Sequence, residues 1–271
     1  MKRIASYIKY YRDAWTIFNV HSPLAYRFIT EVLDTSKEYY HYEDIEHLRK
    51  RLLQLNKKIP IHDYGAGSRQ NNDAQQSIAS IAKRALSSPK EGRKIHNLCL
   101  HLQAKTVLEL GTSFGISTSY MATAIPSGKV YTIEGNPSTA YIAEQNFNLL
   151  GLKNIVQKTG KFQDILPTLL KEIQSVDLAY IDGHHTYQAT MDNFNLIRPY
   201  LNEKSVVLFD DVRWSEGMIN AWKELSMLPG FLAIETLNRG YLIRDPQIIH
   251  NQKLTYIDYK WKPWKIGLKA R

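Results

Sequence analysis

The spacing of apolar residues divides the chain into two regions of different predicted structure. Before residue 105, apolar residues recur every three or four positions, at Ile4, Ile8 and Tyr11 and then at Trp15 and Phe18. This spacing predicts amphipathic helices. From residue 105 onward, short apolar runs alternate with helical stretches, which is typical of strand–helix–strand units. The pattern therefore predicts helices first and a sheet afterwards.

Further helix signals follow the first one. Ser22 and Pro23 are a preferred N-cap and first helical position, so a second helix is expected after them. Other helices are predicted near 43–56, 74–87 and 91–103. We expect residues 1–104 to form an N-terminal helical cap and substrate region in front of the sheet.

The second region predicts an α/β fold. Parallel strands are expected near 106–110, 129–134, 154–158, 177–182 and 205–210. Two more runs, at 231–236 and 240–244, are joined by a turn at Asn238, short enough for an antiparallel hairpin. The predicted architecture is a Rossmann-like, seven-stranded sheet of five parallel strands plus this hairpin. We assign residues 105–250 to it and 251–271 to a basic, aromatic C-terminal tail.

The turn after the first of these strands has the composition of a nucleoside site. Glu109 lies two residues before Gly111, Gly115 and Ser117 follow, and the second strand ends in Glu134. Backbone N–H groups in such a turn can approach a ligand, and a carboxylate at the next strand end can accept hydrogen bonds from both ribose hydroxyls. The alternative is an ordinary strand–helix turn.

Details of this turn favour S-adenosylmethionine over a dinucleotide. A dinucleotide site needs Gly-x-Gly-x-x-Gly, and here Ser113 stands at the middle glycine position. Glu109 beside the turn would repel a pyrophosphate but would suit the cationic end of a methionine group. An NAD(P)-dependent dehydrogenase is disfavoured for the same reasons.

A second glycine-bearing segment, residues 62–68, resembles a nucleotide turn only superficially. It contains Asp63 and Gly65, but polar residues follow it and no strand ending in an acid comes about 20 residues later. We assign it to a loop of the cap. Two alternatives stay open: the loop folds over the cofactor or substrate, or it is a surface turn.

Composition narrows the class of protein. Of 271 residues, 44% are hydrophobic and 23% are charged, as in ordinary globular proteins. No apolar run reaches the ~18–20 residues of a membrane span, and no apolar stretch follows the basic N-terminus as in a signal peptide. The single cysteine, Cys99, fits a reducing compartment and a buried helix position better than a nucleophile. We expect a cytoplasmic protein without membrane contact.

The net charge of +9 raises nucleic acid as a partner. The basic residues are spread along the chain, as on a solvated surface. The tail, however, interleaves aromatic and basic residues, among them Tyr256, Lys260, Trp261, Trp264 and Lys265, as on surfaces that stack single strands. Single-stranded RNA is therefore a candidate partner, although the same side chains could pack on the sheet.

Four segments together resemble the class I S-adenosylmethionine-dependent methyltransferases. They begin at Leu108, Thr132, Tyr180 and Leu208 and read Leu-Glu-Leu-Gly-Thr-Ser, Thr-Ile-Glu-Gly, Tyr-Ile-Asp-Gly-His-His-Thr-Tyr and Leu-Phe-Asp-Asp-Val-Arg-Trp. The likeness is to the O-methyltransferase group related to catechol and caffeoyl-coenzyme A methyltransferases, in a branch common in Bacteroidetes. It implies S-adenosylmethionine as cofactor and O-methylation of a small hydroxylated acceptor. The alternative function is methylation of RNA, bound by the basic surface and the tail.

The resemblance also assigns cofactor contacts. Glu134 would take the ribose hydroxyls, and Gly160 and Phe162 would flank the adenine, although Phe162 could equally be a core aromatic. The full set of expected cofactor-binding residues is Glu109, Gly111, Thr112, Ser113, Gly115, Ser117, Glu134, Gly135, Gly160, Phe162 and Asp182.

Three acids follow predicted strands: Asp182, Asp210 and Asp211. Ligands gather at the carboxyl ends of parallel strands, so these side chains should lie close together and repel each other without a cation. In the metal-dependent relatives, acids at such positions hold Mg²⁺, and Asp211 stands where those enzymes have Asn. The resemblance implies Mg²⁺ or another divalent cation here. In the alternative, Asp210 caps a helix and Asp211 pairs with Arg213 or solvent.

His185 lies three residues after Asp182, where the metal-dependent relatives have a lysine general base. A histidine can accept a proton near neutral pH. We predict His185 and Asp182 as catalytic residues and His184 as a ligand or hydrogen-bonding neighbour. Tyr187 and Trp214 either shape an aromatic acceptor pocket or pack the loop. A homodimer and a monomer both stay open.

Overall fold

One mixed sheet organises the protein. The computed structural model describes residues 2–61 and 75–263. Strands β1 (Lys58–Pro60) and β2 (Gln75–Ser77) form a separate antiparallel pair. The eight strands of the main sheet are β3 (Thr106–Leu110), β4 (Lys129–Glu134), β5 (Ile155–Thr159), β6 (Val176–Ile181), β7 (Leu201–Phe209), β8 (Leu232–Glu235), β9 (Gly240–Arg244) and β10 (Gln252–Thr255).

The order of strands in the main sheet is β10-β8-β9-β7-β6-β3-β4-β5. Strands β3 to β7 run parallel, and β9 is antiparallel to both β7 and β8. From β3 the chain proceeds outward through β4 and β5 and then returns to β6 on the other side. The direction of winding reverses at β3, so a crevice is expected at the carboxyl ends of β3 and β6.

The α/β fold class, the five parallel strands and the hairpin are confirmed, and the predicted count of seven strands is corrected to eight. The additional strand, β10, lies in the segment that the sequence assigned to the tail, and it pairs parallel with β8. It covers the edge of β8, which would otherwise expose unpaired backbone groups. Its sequence, Gln-Lys-Leu-Thr, has no alternation of apolar residues, so pattern alone did not predict it.

Ten α-helices flank the strands in the described ranges. They are α1 (Lys2–Asp13), α2 (Pro23–Phe28), α3 (His41–Gln54), α4 (Ile78–Ala85), α5 (Pro89–Leu102), α6 (Ile116–Ala124), α7 (Pro137–Leu149), α8 (Phe162–Ile173), α9 (Tyr187–Ile197) and α10 (Glu216–Leu225). The predicted N-cap is confirmed, because the Ser22 hydroxyl accepts a hydrogen bond from the Ala25 N–H at 3.4 Å. None of the described helices is long and apolar enough to cross a bilayer.

The first helix ends earlier than its apolar spacing predicts. Helix α1 stops at Asp13, and Trp15 instead forms a bridge with Tyr256 near the C-terminus. The Trp15 N–H donates to the Thr255 carbonyl at 2.7 Å, and the Ile257 N–H donates to the Trp15 carbonyl at 2.9 Å. This pairing with a distant segment ends the helix. Ile4 and Ile8 are 67% and 65% exposed, so their spacing does not mark a buried face.

Apolar clusters cover both faces of the sheet. On one face α5 places Ile95 and Leu98 against Val107 of β3. On the other, Leu166 of α8 and Phe194 of α9 pack on the sheet. Cys99 of α5 is fully buried, as the sequence predicted. Helix α5 therefore belongs to the layer of helices that packs on the sheet. The predicted boundary at residue 104, between the N-terminal cap and the sheet domain, stays a prediction.

Candidate active site

A cavity of about 1250 Å³ opens at the carboxyl ends of the parallel strands. Turns after these strands, helix α1 and the segment 256–261, hereafter the C-terminal segment, supply its walls. The sequence-predicted site residues that line it are Gly111, Ser113, Glu134, Gly135, Gly160, Phe162, Asp182, His184, His185, Asp210, Asp211 and Trp214. Most of the expected residues therefore lie together at the strand ends, as the rule for ligand binding in such sheets predicts.

Backbone hydrogen bonds between neighbouring strand ends set the register of the site. The Gly111 N–H donates to Ile133 at 3.0 Å, and the Asp182 N–H donates to Leu110 at 2.9 Å. The Asp210 N–H continues the series by donating to Ile181 at 3.1 Å. These bonds fix the first residue after each strand, so the side chains of Asp182 and Asp210 project from a rigid edge.

Gly111 is required where the chain leaves β3. Its φ is +109°, and a Cβ built on it would lie 2.2 Å from the carbonyl oxygen of Asp182. No side chain fits in that space. The turn therefore approaches the end of β6 closely and presents its backbone to the cavity.

Three non-glycine residues that line the cavity have left-handed backbone conformations. They are Ser113, His184 and Asp211, with φ between 48° and 53°. Such conformations cost free energy and concentrate at ligand sites. The Ser113 hydroxyl is also buried without a hydrogen-bond partner among the described residues. An unpaired hydroxyl at this turn fits a polar ligand group.

Glu134 links the turn after β3 to the end of β4. Its Oε2 accepts a hydrogen bond from the Ser113 N–H at 2.7 Å, and its Oε1 accepts one from the Asn136 N–H at 2.9 Å. Burial raises the pKa of Glu134, although these backbone hydrogen bonds act in the opposite direction. The carboxylate lines the cavity, where a ribose would meet it. That role stays a prediction.

Four of the expected cofactor residues, Glu109, Thr112, Gly115 and Ser117, do not line the cavity. The Glu109 side chain is fully buried and accepts hydrogen bonds from the hydroxyls of Ser117 and Thr118, both at 2.5 Å, and of Thr132 at 2.6 Å. Glu109 therefore ties β3 to β4 and α6. This corrects the interpretation that its charge faces a methionine group, because its position in the strand turns it inward.

Glu109 makes a pH-dependent contribution to stability. Burial raises its pKa to about 7, although its three hydroxyl partners favour the ionised form. In the unfolded chain it titrates near 4.3, so the folded state binds the extra proton between these values. Stability therefore falls as pH rises through this window. From pH 5 to 8, Glu109→Gln should gain roughly 2–3 kcal/mol relative to wild type. Urea unfolding at several pH values measures this, and parallel stability curves would contradict it.

A tyrosine that the sequence reading missed joins the acids at the strand ends. Tyr180 lies in β6 and precedes Asp182, the first residue after that strand, by two positions, so the two side chains point to the same side of the sheet. Its hydroxyl lies 2.9 Å from Oδ2 of Asp182 and 2.5 Å from Oδ2 of Asp210. The period of two in a strand was the available signal, since it places a phenol beside the first acid.

A second missed residue, Arg239, lies in the turn between β8 and β9. Its Nη2 is 2.8 Å from Oδ2 of Asp210, and its Nη1 is 2.9 Å from Oε2 of Glu91. The side chain is only 3% exposed. Burial lowers the pKa of Arg239, but the charges of Asp210 and other neighbours outweigh burial and raise it well above its usual value. The sequence showed only a hairpin turn here and no sign of the partners.

Arg239 makes the two strand-end acids unequal. Burial raises the pKa of Asp210, but the charge and hydrogen bonds of Arg239 outweigh it and hold that pKa below its usual value. Burial, together with the nearby charge of Asp210, raises the pKa of Asp182 well above its usual value. The surroundings therefore favour the ionised form of Asp210 and the protonated form of Asp182.

The predicted metal ligands Asp182, Asp210 and Asp211 lie at one edge of the cavity, but the donor set does not fit a divalent cation. Oδ2 of Asp210 is engaged by Arg239 and Tyr180, and its Oδ1 accepts from the Asp211 N–H at 2.9 Å. Within the described ranges, no three His, Cys, Asp or Glu side chains are grouped as metal ligands. A buried guanidinium occupies the place where a metal would need open oxygens.

The two histidines after β6 take different positions. Nε2 of His185 lies 3.8 Å from Oδ1 of Asp182, so the two predicted catalytic residues are neighbours. The His184 ring lies 5.1 Å from the ring of Phe162. Tyr187 does not line the cavity, and its hydroxyl donates to Glu224 at 2.6 Å. Of the two predicted aromatic residues, only Trp214 lines the cavity.

Helix α1 and the C-terminal segment together close the outer side of the cavity. The Tyr10 hydroxyl donates to the Tyr256 carbonyl at 2.6 Å, and the Tyr11 hydroxyl donates to the Trp261 carbonyl at 2.9 Å. All four side chains, with Tyr7, line the cavity. The spacing of Tyr7, Tyr10 and Tyr11 along one helix was the missed signal. The loop 63–68 and the tail residues Trp264 and Lys265 lie outside the described residues.

Comparisons with known proteins agree with this geometry. The family described as "Methyltransferase domain" matches residues 108–212. Over 114 residues, the chain is 42% identical to a catechol O-methyltransferase of Niastella koreensis, covering 41% of this chain and 52% of that enzyme. Over 126 residues it is 32% identical to catechol O-methyltransferase of Sus scrofa, covering 45% of this chain and 67% of that enzyme. The chain thus spans about half the length of the first relative and about two thirds of the second.

Solved structures show the same fold. An O-methyltransferase of Bacillus cereus, solved in complex with SAH, superposes with a TM-score of 0.55 at 17% identity, covering 80% of this chain and 96% of that one. The O-methyltransferase TomG of Streptomyces achromogenes, solved with SAM, gives a TM-score of 0.55 at 19% identity, covering 80% and 94%. At these identities the likeness concerns the fold.

Proposed function

Since the chain belongs to the class I S-adenosylmethionine-dependent O-methyltransferases, we propose that it methylates a hydroxyl group of a small acceptor. One observation carries this proposal. A single cavity contains the close turn at Gly111, the carboxylate of Glu134 and, beside them, the pair Asp182 and His185. The first two suit a nucleoside cofactor, and the pair suits proton transfer from an acceptor.

The residues at the ends of β3, β4 and β5 are proposed to hold the cofactor. The unpaired hydroxyl of Ser113 and the backbone at Gly111 face its methionine part, Glu134 accepts from the ribose, and Phe162 flanks the adenine. When bound, S-adenosylmethionine supplies a methyl group activated by a sulfonium. Little further activation is needed, because positioning of the acceptor for in-line attack accounts for most of the acceleration.

The acceptor is proposed to lie between the strand ends and the aromatic wall made by α1 and the C-terminal segment. Tyr7, Tyr11, Trp214 and Trp261 line this side. Aromatic side chains there favour an acceptor with an aromatic ring, since offset and edge-to-face ring contacts are attractive. A hydroxylated aromatic compound, such as a catechol, is therefore the acceptor class to examine first.

His185 is proposed as the general base. Transfer forms the bond between the acceptor oxygen and the methyl carbon, breaks the bond between that carbon and sulfur, and sends the hydroxyl proton to the imidazole of His185. Asp182, 3.8 Å away, orients this ring.

We expect His185→Ala to lower kcat about 100-fold or more while leaving cofactor affinity unchanged, because general bases contribute about 10²–10⁴-fold. Steady-state kinetics with a catechol acceptor measure kcat, and calorimetry measures affinity. His184→Ala is the matched comparison, and we expect a smaller loss of kcat from it. Equal losses in both variants would count against His185 as the base.

The experiment that tests the proposed function is titration calorimetry with S-adenosylmethionine and S-adenosylhomocysteine, followed by transfer of labelled methyl to catechols and, separately, to RNA. Binding of both compounds and transfer to a catechol support the proposal. Absence of binding would refute it. Transfer to RNA alone, with RNA affinity that falls steeply with salt, would favour the nucleic-acid alternative.

A further inference from the structure

We propose that Arg239 is the resident cation of the acceptor site and takes the place of a divalent metal ion. The inference rests on the proposed function for its meaning in the reaction, but its central claim concerns cation binding by the protein itself. Arg239 is not one of the metal ligands expected from the sequence. With Arg239 in this role, methyl transfer should proceed without an added metal.

The guanidinium of Arg239 has a fixed position in the fold. Arg239 lies in a tight turn in which the Thr236 N–H donates to the Arg239 carbonyl at 2.8 Å. The next residue, Gly240, packs so closely on α10 that a Cβ there would lie 2.5 Å from the ring of Trp222. Sheet pairing to β7 and this contact hold the turn against the acidic edge (Asp182, Asp210 and Asp211). The guanidinium is thus built into the scaffold.

The guanidinium of Arg239 forms hydrogen bonds to neighbouring groups on two sides. Its Nε and Nη2 both approach Oδ2 of Asp210, at 3.2 and 2.8 Å, and Nη2 also lies 3.2 Å from the Tyr180 hydroxyl. On the other side, Nη1 reaches the carboxylate and, at 3.2 Å, the carbonyl of Glu91 on α5. A planar guanidinium with five donors can bridge two carboxylates, whereas a metal would require open oxygen ligands.

The positive charge of Arg239 also opposes the binding of a metal at this edge. The positive charge of Arg239 lies 2.8 Å from Oδ2 of Asp210, a residue predicted as a metal ligand. A divalent cation at Asp210 would therefore meet a like charge in a buried setting, where such repulsion is strong. The Tyr180 hydroxyl fills the remaining space between Asp182 and Asp210. The charge of Asp210 is therefore already paired without a metal.

Arg239 lines the cavity, so its charge also faces the acceptor side. With its N–H groups engaged by Asp210, Tyr180 and Glu91, it acts as a positioning residue that orders the edge on which Asp182 stands. Removal of the acceptor proton then falls to His185 and not to a metal-bound oxygen. Catalysis is accordingly expected to be unchanged by chelators.

The test is a Mn²⁺ titration of the 271-residue protein, with free Mn²⁺ measured by electron paramagnetic resonance. Wild type should show no saturable binding up to ~1 mM, whereas Arg239→Met, which frees the carboxylates, should bind Mn²⁺ about tenfold or more tightly than wild type. Adding Asp210→Asn to Arg239→Met should abolish the gain. Saturable binding in wild type that Asp210→Asn removes would overturn the proposal, as would a folded Arg239→Met variant without any gain.

Arg213→Met is the matched control. Arg213 is also a buried arginine paired with a carboxylate, that of Glu235, and it does not line the cavity. Its replacement should lower stability without creating Mn²⁺ binding, and a similar gain in this variant would overturn the proposal. If Arg239→Met fails to fold, the wild-type titration still decides. Methyl transfer in EDTA and in Mg²⁺ is measured in parallel, so failure of the proposed function leaves the Mn²⁺ result to be judged separately.

Discussion

Gly111→Ala is expected to destabilise the protein by about 3 kcal/mol or more and to abolish binding of S-adenosylmethionine. The added methyl group would lie 2.2 Å from the carbonyl oxygen of Asp182, on a residue whose φ is +109°. The carbonyl of Asp182 cannot move away easily, because the N–H of the same residue donates a hydrogen bond to Leu110. Urea unfolding measures the loss of stability, and calorimetry at a temperature where the variant is folded measures binding.

Gly151→Ala separates backbone strain from close approach. Gly151 also has a positive φ, +67°, but nothing lies within 4 Å of its Cβ position. Its replacement should therefore cost only the strain of the left-handed conformation, about 1 kcal/mol, and leave cofactor affinity intact. Similar losses of stability in the two alanine variants would show that the contact with Asp182 is not the cause.

Glu134→Ala is expected to weaken binding of S-adenosylmethionine and S-adenosylhomocysteine about 100-fold or more. The substitution removes the proposed partner of both ribose hydroxyls, and two charge-assisted hydrogen bonds of this kind correspond to about 3 kcal/mol or more. It also removes the acceptor for the N–H groups of Ser113 and Asn136, which loosens the turn that faces the methionine part. Calorimetric titration with both compounds measures the effect.

Two further variants isolate the charge of Glu134. Glu134→Gln retains the size of the side chain and one carbonyl oxygen, so its affinity should fall between those of wild type and Glu134→Ala. Glu144→Ala, on the exposed side of α7, should bind like wild type. Unchanged affinity in Glu134→Ala would remove the ribose assignment even if the protein proves to be an active methyltransferase.

The sheet and the strand ends at which we propose that the cofactor binds were predictable, because the sequence patterns that mark them are local. A buried strand followed by a glycine turn needs only a few consecutive residues. Glu109 and Glu134 lie in two adjacent strands, and Gly111 directly follows the first of them. The strand-end rule then placed Asp182 and Asp210 together without knowledge of any contact. What the pattern did not reveal was the direction of Glu109, since a turn motif does not show which side chain faces the ligand.

The remaining features depend on pairing between distant parts of the chain. The early end of α1 follows from the hydrogen bonds of Trp15 to Thr255 and Ile257, across most of the sequence. Strand β10 forms by pairing with β8. The partners of Arg239 come from a helix, two strand ends and a hairpin, with up to 148 residues between them along the chain.

The sequence by itself thus determined the fold class, the five parallel strands with their hairpin, and which acids meet, because backbone periodicity and strand-end geometry are local properties. Only the tertiary structure decided what neutralises those acids. The charge balance of a buried edge depends on which side chains folding brings into contact, and in this protein it brings the guanidinium of Arg239 to Asp210.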